Sequence, residues 1–428
     1  MRQLLDCPMW SARACVRAIG VAVIGLVAVA NATDGPPGIE PLELAEAAEL
    51  AIQHQPLLGG LEAQAHAARE ASVASAQLPD PQLFGGIRDV PVTTRDAYSL
   101  SNDSDTQLMF GLSQEFPRAA KRRLRGEQRV REAQRLDAER RLAELSIRRD
   151  ASLAWLDCWR GDAAMKIAKE TVDAAQLQAQ AVAIAARAGA ADQSDYIAAL
   201  LDVERLRDSQ AAREQASDQA RFALQRWIGE AAHRPVAPAP PEFPPAPAQS
   251  VVLERVATHP ELDALQQRIN ESQASVDLAK AGRLPDWRVE LGYGYRREYS
   301  DMVTLQVGMD LPLFPGSRQN RDVASAMAMG EAAAARWEDG KRQLEARVLQ
   351  VDRDLERLSE RLAAYNDTIE PQTIVGVDAA TAAWRSGRGT LRQVFDARRV
   401  RLDVRLARLE LQYDTFKRRI ELNYLSGG

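Results

Sequence analysis

Aromatic residues, cysteines and long apolar runs are all scarce in this chain. Of the 428 residues, 5% are aromatic and three are cysteine, and the mean hydropathy is −0.33. Beyond the N-terminal segment no run approaches the roughly 18 apolar residues of a membrane-spanning helix, which excludes a polytopic helical membrane protein. The 55 basic and 60 acidic residues nearly balance, which argues against nucleic acid as a partner.

The usual signatures of catalysis and cofactor binding are also missing. There is no phosphate-binding loop, dinucleotide fingerprint or Ser-His-Asp pattern. The four histidines lack metal-ligand spacing: His54, His66, His233 and His259. Cys158 lies among tryptophans and leucine, which favours a packed thiol over a nucleophile. The sequence therefore predicts no enzyme, no metal site and no cofactor.

The first 32 residues have the pattern of a secretory signal peptide. A basic start precedes the apolar stretch AIGVAVIGLVAVA, and Ala30-Asn31-Ala32 forms a cleavage site of the small-x-small type. An uncleaved membrane anchor is the alternative. An exported chain that keeps only Cys158 has no internal disulfide, so packing or assembly must stabilise it.

Short motifs recur in the same order in both halves of the chain. LPD occurs at 78–80 and 284–286, an offset of 206, and FP occurs at 116–117 and 314–315, an offset of 198. Gly189 and Gly387 are also separated by 198 residues. Such order indicates an internal duplication.

The duplication divides the chain into a signal peptide, two repeats and a linker. The predicted boundaries are 1–32, 33–229 for the first repeat, 230–252 for the linker and 253–428 for the second repeat. Seven prolines within 235–248 indicate an extended segment without secondary structure.

Each repeat is predicted to contain a helix, a β-hairpin, a long helix and a shorter one. The hairpins are placed at 81–115 and 286–313. The helical stretches are expected at 42–77, 118–188, 191–229, 253–283, 316–386 and 390–425. Apolar residues at alternating spacings of three and four after Leu355 and Leu402 indicate coiled-coil packing of these helices.

The second hairpin shows strict period-two alternation of apolar and polar residues. Strands of this length, with Trp and Tyr near their ends, suit a tilted membrane crossing. The predicted lipid-facing residues are Trp287, Val289, Leu291, Tyr293, Tyr295, Val303, Leu305, Val307, Met309 and Leu311. A hairpin packed on soluble helices is the alternative. In the first half the pattern is clear at 107–115 and weak near 82–90.

Four strands cannot close a barrel, and lipid tolerates no open strand edge. If these strands span a membrane, several copies of the chain must share one barrel. A basic cluster formed by Lys121, Arg122, Arg123 and Arg125 follows the first hairpin and is predicted to meet anionic lipid headgroups or solvent.

With its duplicated plan, the sequence resembles the TolC family of outer-membrane efflux channels over about 40–426. The matching stretches are LPDPQL, EFPRAAKRRLR, LPDWRVELGYGY and DLPLFPGSR. The resemblance implies a mainly α-helical fold with a long helical barrel, and a homotrimer whose protomers each contribute four strands to a shared 12-stranded membrane β-barrel. The stretch around Lys121 is similar to the heavy-metal cation branch, although Ala120 stands where that branch often has Gly.

The resemblance also implies a periplasmic tip at the turns that contain Gly189 and Gly387, where acidic residues narrow the pore. Asp195 follows the first glycine by six positions, as an Asp does in TolC. TolC has acidic residues six and nine positions after the second glycine, and an aromatic residue three before it. The corresponding residues here are Gln393, Asp396 and Trp384, so one acidic position is replaced by an amide. Helix capping is the alternative role for either Asp.

The implied function is an outer-membrane channel of a three-part efflux system, with a long periplasmic extension. Its partners would be a periplasmic adaptor (a membrane fusion protein), an inner-membrane pump of the RND type and outer-membrane lipid. Heavy-metal cations are the cargo that the branch resemblance favours. A soluble periplasmic coiled-coil adaptor or scaffold is the alternative from another class.

Overall fold

The computed structural model describes residues 40–93, 95–189 and 191–427, so the predicted signal peptide at 1–32 lies outside the described residues. In the first half, helices α1 and α2 precede strands β1 and β2, and the long helices α3 and α4 follow. Their bounds are α1 Leu44–His54, α2 Pro56–Ala76, β1 Gln82–Arg88, β2 Gln107–Phe116, α3 Ala119–Arg187 and α4 Gln193–Ile228. At 1.5 Å per residue, α3 is about 100 Å long.

The second half repeats this order. Its elements are α5 Gln249–Val256, α6 Pro260–Ala281, β3 Trp287–Tyr295, β4 Met302–Met309, α7 Gln319–Ala364, α8 Glu370–Arg385 and α9 Leu391–Leu425. A short 3-10 helix, Gly229–His233, follows α4. Within the ranges described above, none of the helices combines the length and apolarity needed to cross a membrane.

Prolines interrupt three helical stretches that the sequence analysis treats as continuous. The stretch 42–77 divides at Gln55, and 253–283 divides before Pro260. Proline lacks the N–H that an interior helical position donates, so Pro56 and Pro260 each start a new helix. In the third stretch a π-helical segment, Tyr365–Ile369, joins α7 to α8 just before Pro371, which has no N–H to donate.

The four strands form one antiparallel sheet in the order β1-β2-β3-β4. Both hairpins pair their own strands, and β2 of the first half pairs with β3 of the second from Leu108↔Tyr295 to Phe116↔Trp287. The sheet is therefore continuous across the two repeats.

The largest apolar core lies where the linker crosses the long helices. Trp155 is 1% exposed, and its indole N–H donates to the carbonyl of Leu42 at 2.9 Å. Leu42 pairs as an isolated parallel bridge with Val236 of the linker. Cys158 is fully buried in this core, and burial raises its pKa to about 12, which confirms the packed thiol.

His259 is a structural residue. It is 1% exposed, its Nδ1 accepts from the Glu261 backbone N–H at 3.2 Å, and its Nε2 lies 2.9 Å from the Tyr424 carbonyl oxygen. The neutral ring with its proton on Nε2 satisfies both contacts. Burial lowers its pKa from the ordinary value of 6.5.

We expect the protein to lose stability on mild acidification because of His259. Since its folded-state pKa is lowered, the stabilisation is complete above pH 6.5 and is lost as the pH falls from there through the folded-state pKa. Melting of the detergent-solubilised protein between about pH 7.5 and pH 5.5 measures this effect. His259→Gln should flatten the dependence, whereas replacing the exposed His233 by Gln should leave it unchanged. An equal slope in all three proteins would contradict the assignment.

Candidate functional site

One face of the sheet is apolar and exposed. Strand alternation places every second residue on this face, and the register aligns them across strands: Leu291 faces Leu112 on one side and Leu305 on the other. Leu83 is 80% exposed and Leu305 is 68% exposed. Apolar residues with this much exposure, contiguous over four strands, indicate a surface that another apolar phase covers.

The predicted lipid-facing residues occupy this face. Nine of the ten lie in β3 or β4, and Leu311 lies two residues beyond β4. Val289 is half-buried, and the others are exposed. The register pairs Trp287 with Met309 and Tyr293 with Val303, so the aromatic residues lie at both ends of the apolar band.

The opposite face is polar and rich in glycine. Gly111 pairs with Gly292, and a Cβ on Gly111 would lie 2.4 Å from the Phe84 ring. On the same face the guanidinium of Arg288 pairs with the Glu115 carboxylate at 2.5 Å. Small and charged residues therefore line one side of the sheet while the other side is apolar, as in a membrane strand with a wet interior.

A buried ion pair joins the two repeats where the sheet meets the helices. Lys121 Nζ lies 2.7 Å from Asp286 Oδ2, and the Lys121 side chain is 10% exposed. The backbone N–H of Arg118 donates to the other carboxylate oxygen at 3.0 Å. Burial by itself would raise the pKa of Asp286, but these two donors hold that pKa below its ordinary value.

The ion pair corrects the interpretation of the basic cluster. Lys121 meets neither lipid headgroups nor solvent, because its ammonium group is committed to Asp286. Arg122 is half-buried, and its Nη1 lies 3.5 Å from the Ala76 carbonyl. Arg123 and Arg125 remain exposed. Sequence reasoning noted the LPD and KRR motifs separately, and only the fold brings them together.

Two glycine turns end the helical hairpins at the far end of the molecule. Gly189 follows α3 and Gly387 follows α8, and each has φ +70, a left-handed conformation that side chains rarely adopt. Equal backbone angles at equivalent positions show that the duplication extends to these turns.

The four aperture candidates lie close to these turns in different environments. Asp195 is half-buried in the first turn of α4. Gln393 forms a capping box with Thr390, so its amide oxygen accepts the Thr390 backbone N–H at 2.9 Å. Asp396 is exposed, whereas Trp384 packs against the apolar cluster between the two hairpins. Of the four, Asp396 has a carboxylate that is free to face solvent.

Sequence reasoning missed the polar contacts that hold the two hairpins together. Arg398 Nη1 donates to the Ala174 carbonyl at 3.1 Å, and Arg405 pairs with Glu170 at 2.7 Å. Burial lowers the pKa of Arg398, and Asp202 opposes that shift electrostatically. The arginines of α9 have no distinctive spacing, so no sequence signal marked these two.

Among the described residues, no three His, Cys, Asp or Glu side chains lie close enough together to hold a metal ion. The surfaces that the structure presents are an apolar sheet face and a pair of helical tips.

Solved structures similar to this chain include outer-membrane and other membrane proteins. CusC is similar over 91% of this chain and 93% of its own, with 16% identity and a TM-score of 0.75. A membrane protein from Pseudomonas aeruginosa gives 18% identity, the same coverages and a TM-score of 0.78. The outer membrane protein VceC from Vibrio cholerae gives 19% identity, coverages of 90% and 96%, and a TM-score of 0.74.

Sequence comparison gives a narrower result. Residues 254–428 match the family described as "Outer membrane efflux protein". No curated protein matches the chain.

The chain therefore has the fold of these solved outer-membrane proteins, with a four-stranded sheet at one end of long helical hairpins. The second repeat is therefore similar to the outer membrane efflux proteins. The soluble scaffold alternative is not supported.

Proposed function

We propose that the protein is the exit duct of a three-part efflux system and works as a homotrimer. The observation that carries this proposal is the four-stranded sheet, whose apolar face is exposed and whose outer strands β1 and β4 each pair on one side within the described chain. Closing the edges with further copies satisfies their backbone groups in lipid. Three copies give the 12 strands of the barrel that the family resemblance implies.

The helical hairpins would extend from this barrel through the periplasm, with the Gly189 and Gly387 turns docking on a periplasmic adaptor. The adaptor would connect the duct to an inner-membrane pump of the RND type. Helix ends around both turns are exposed, which supports helix-to-helix contact there. The pump supplies the energy, and the channel conducts passively.

Heavy-metal cations are the proposed cargo class. The support is the similarity of the stretch around Lys121 to the heavy-metal branch, together with a carboxylate at Asp396 near the tip. A channel passes cations without binding them tightly, so this proposal requires no metal site.

Fractionation and tolerance assays test the proposal. The protein should remain in the outer membrane until detergent is added, and a deletion strain should lose tolerance to metal salts and regain it on complementation. Release of a monomer by osmotic shock would defeat the channel. If the deletion strain became sensitive to organic antibiotics while its metal tolerance was unchanged, the result would agree with the channel proposal and contradict the proposed metal cargo.

We expect Asp396→Asn to lower cation selectivity and weaken divalent-cation block in single-channel recordings. Three copies of this exposed carboxylate near one axis attract cations and repel anions. Asp192→Asn is the matched control, because Asp192 precedes α4 at the other turn and was not among the aperture candidates. Unchanged selectivity and block in Asp396→Asn would exclude this residue from the aperture.

A further inference from the structure

The two repeats carry enough register information to specify how one copy of the chain meets the next. We infer that β4 of one copy pairs antiparallel with β1 of the next copy, with Met309 opposite Leu83 and Leu305 opposite Ile87. This inference rests on the proposed trimeric channel and adds the residue-level contact that closes it.

The internal seam between β2 and β3 is the template for this contact. In each repeat the sheet enters its first strand directly after LPD, so Asp80 corresponds to Asp286 and Leu83 to Val289, an offset of 206. Extended by two residues, the register of the first hairpin sets Asp80 opposite Glu115, and that of the second, extended by one, sets Asp286 opposite Asp310. Glu115 therefore corresponds to Asp310, and Gln114 corresponds to Met309.

The correspondence between β2 and β4 has an offset of 195 and keeps the apolar residues on the same face. It places Leu108, Phe110 and Leu112 on three apolar residues of β4. Those residues are Val303, Leu305 and Val307, which also lie on the exposed face. The two hairpins therefore superimpose with the same side facing outward.

Applying both offsets to the internal seam gives the external one. Gln114 faces Val289 in the internal seam, and their counterparts are Met309 and Leu83. In the same way the pair Phe110↔Tyr293 becomes Leu305↔Ile87. The external seam runs from Gln82↔Asp310 to Arg88↔Thr304.

Side-chain volumes on the polar face are compatible with this register. It sets the large ring of Phe84 opposite Gly308 of the next copy, and a Cβ on Gly308 meets nothing within 4 Å in the isolated chain. On its other side the same ring already covers Gly111. A slip of two residues in one direction would place the Asp310 carboxylate against Phe84, and a slip in the other would place Gln306 there.

At one end of the proposed seam, each of the two strands is flanked by a proline. Pro81 and Pro312 cannot donate to a strand ladder, and the register places both just outside the paired segment. The seam therefore ends where the chain loses its backbone donors.

Disulfide trapping tests the register with four cysteine substitutions: Leu83→Cys, Ile87→Cys, Leu305→Cys and Met309→Cys. Combined as 83 with 309 and 87 with 305, they are in register; combined as 83 with 305 and 87 with 309, the same substitutions are four residues apart, about 14 Å along the strand. Oxidised membranes are analysed by non-reducing electrophoresis. Gln114→Cys with Val289→Cys should form a bond within one chain and no oligomer.

The in-register pairs should give covalent dimers and trimers that disappear on reduction. The swapped pairs should give about tenfold less, since cysteines whose Cα atoms are more than about 7 Å apart do not bridge. A two-residue slip predicts instead that Met309→Cys crosslinks to Gly85→Cys, and that result would overturn the register. Two in-register pairs guard against one variant failing to assemble.

Mass measurement of the same variants under reducing conditions in detergent separates this inference from the proposed function. A trimer without the expected disulfides contradicts the register and leaves the channel intact. A monomer in detergent contradicts both.

Discussion

Leu305→Arg should prevent stable insertion of the protein in the outer membrane. Leu305 lies in the middle of β4 on the exposed apolar face, opposite Leu291. An arginine on the lipid face near the bilayer midplane costs about 2–4 kcal/mol, and in the proposed homotrimer every protomer incurs that cost. Membrane fractionation and the yield of trimer in detergent measure the loss, which should be severalfold or greater.

The adjacent residue provides the matched control. Gln306 points to the polar face of the same strand, so Gln306→Arg adds the same side chain at the same depth without contact with lipid. It should insert and assemble at close to the wild-type yield. Equal losses in both variants would mean that the apolar face does not contact lipid in preference to the polar face.

Lys121→Met should be the most destabilising single change at the junction between sheet and helices. It leaves the Asp286 carboxylate partly buried beside an uncharged neighbour, and removing one member of a buried pair costs about 3 kcal/mol or more. Asp286 directly precedes β3, the first strand of the second repeat, and its carboxylate bonds to the start of α3, so the loss affects the seam between repeats. Thermal and denaturant unfolding in detergent measure it.

The double variant Lys121→Met with Asp286→Asn should recover most of that loss. It removes the unpaired charge, and the Asn oxygen can still accept the backbone N–H of Arg118. Arg123→Met, at an exposed neighbour of Lys121, should change stability little. Failure of the double variant to recover would show that the pair acts through packing and not through charge.

Strong acid should reproduce part of this effect in the wild-type protein. The pKa of Asp286 is lowered, so its contribution is complete above the ordinary value of 3.8 and is lost as the pH falls through the folded-state pKa. The Asp286→Asn background should lack this component of acid unfolding. The window lies well below that of His259, so the two effects separate in one pH series.

The strands show how far sequence pattern predicts and where it weakens. In β3 and β4, apolar side chains alternate with Arg, Glu, Gln, Gly and Thr, so the period of two residues is clear from the sequence. At β1, Gly85 and Gly86 interrupt the alternation, and the strand forms because β2 supplies its hydrogen-bond partners. Pairing between strands, which is a tertiary interaction, compensated for a weak local signal.

Helix periodicity likewise predicted the helical stretches but not their interruptions. Pro56 and Pro260 are visible in the sequence, yet an apolar pattern that continues through them hides the break. The π-helical segment before Pro371 keeps the chain helical across the proline, and the apolar periodicity does not report such a local change.

The sequence by itself determined the duplication, the scarcity of catalytic residues, the strand alternation and the glycine turns, because each depends on local spacing or backbone preference. The capping box of Thr390 and Gln393 is local too, because both residues lie at the start of α9. Tertiary structure decided that Lys121 pairs with Asp286 and that Trp384 packs between hairpins. The Lys121 pair and the Trp384 cluster join residues from different elements and from different repeats. Side chains that face each other across a fold leave no periodic trace along the chain.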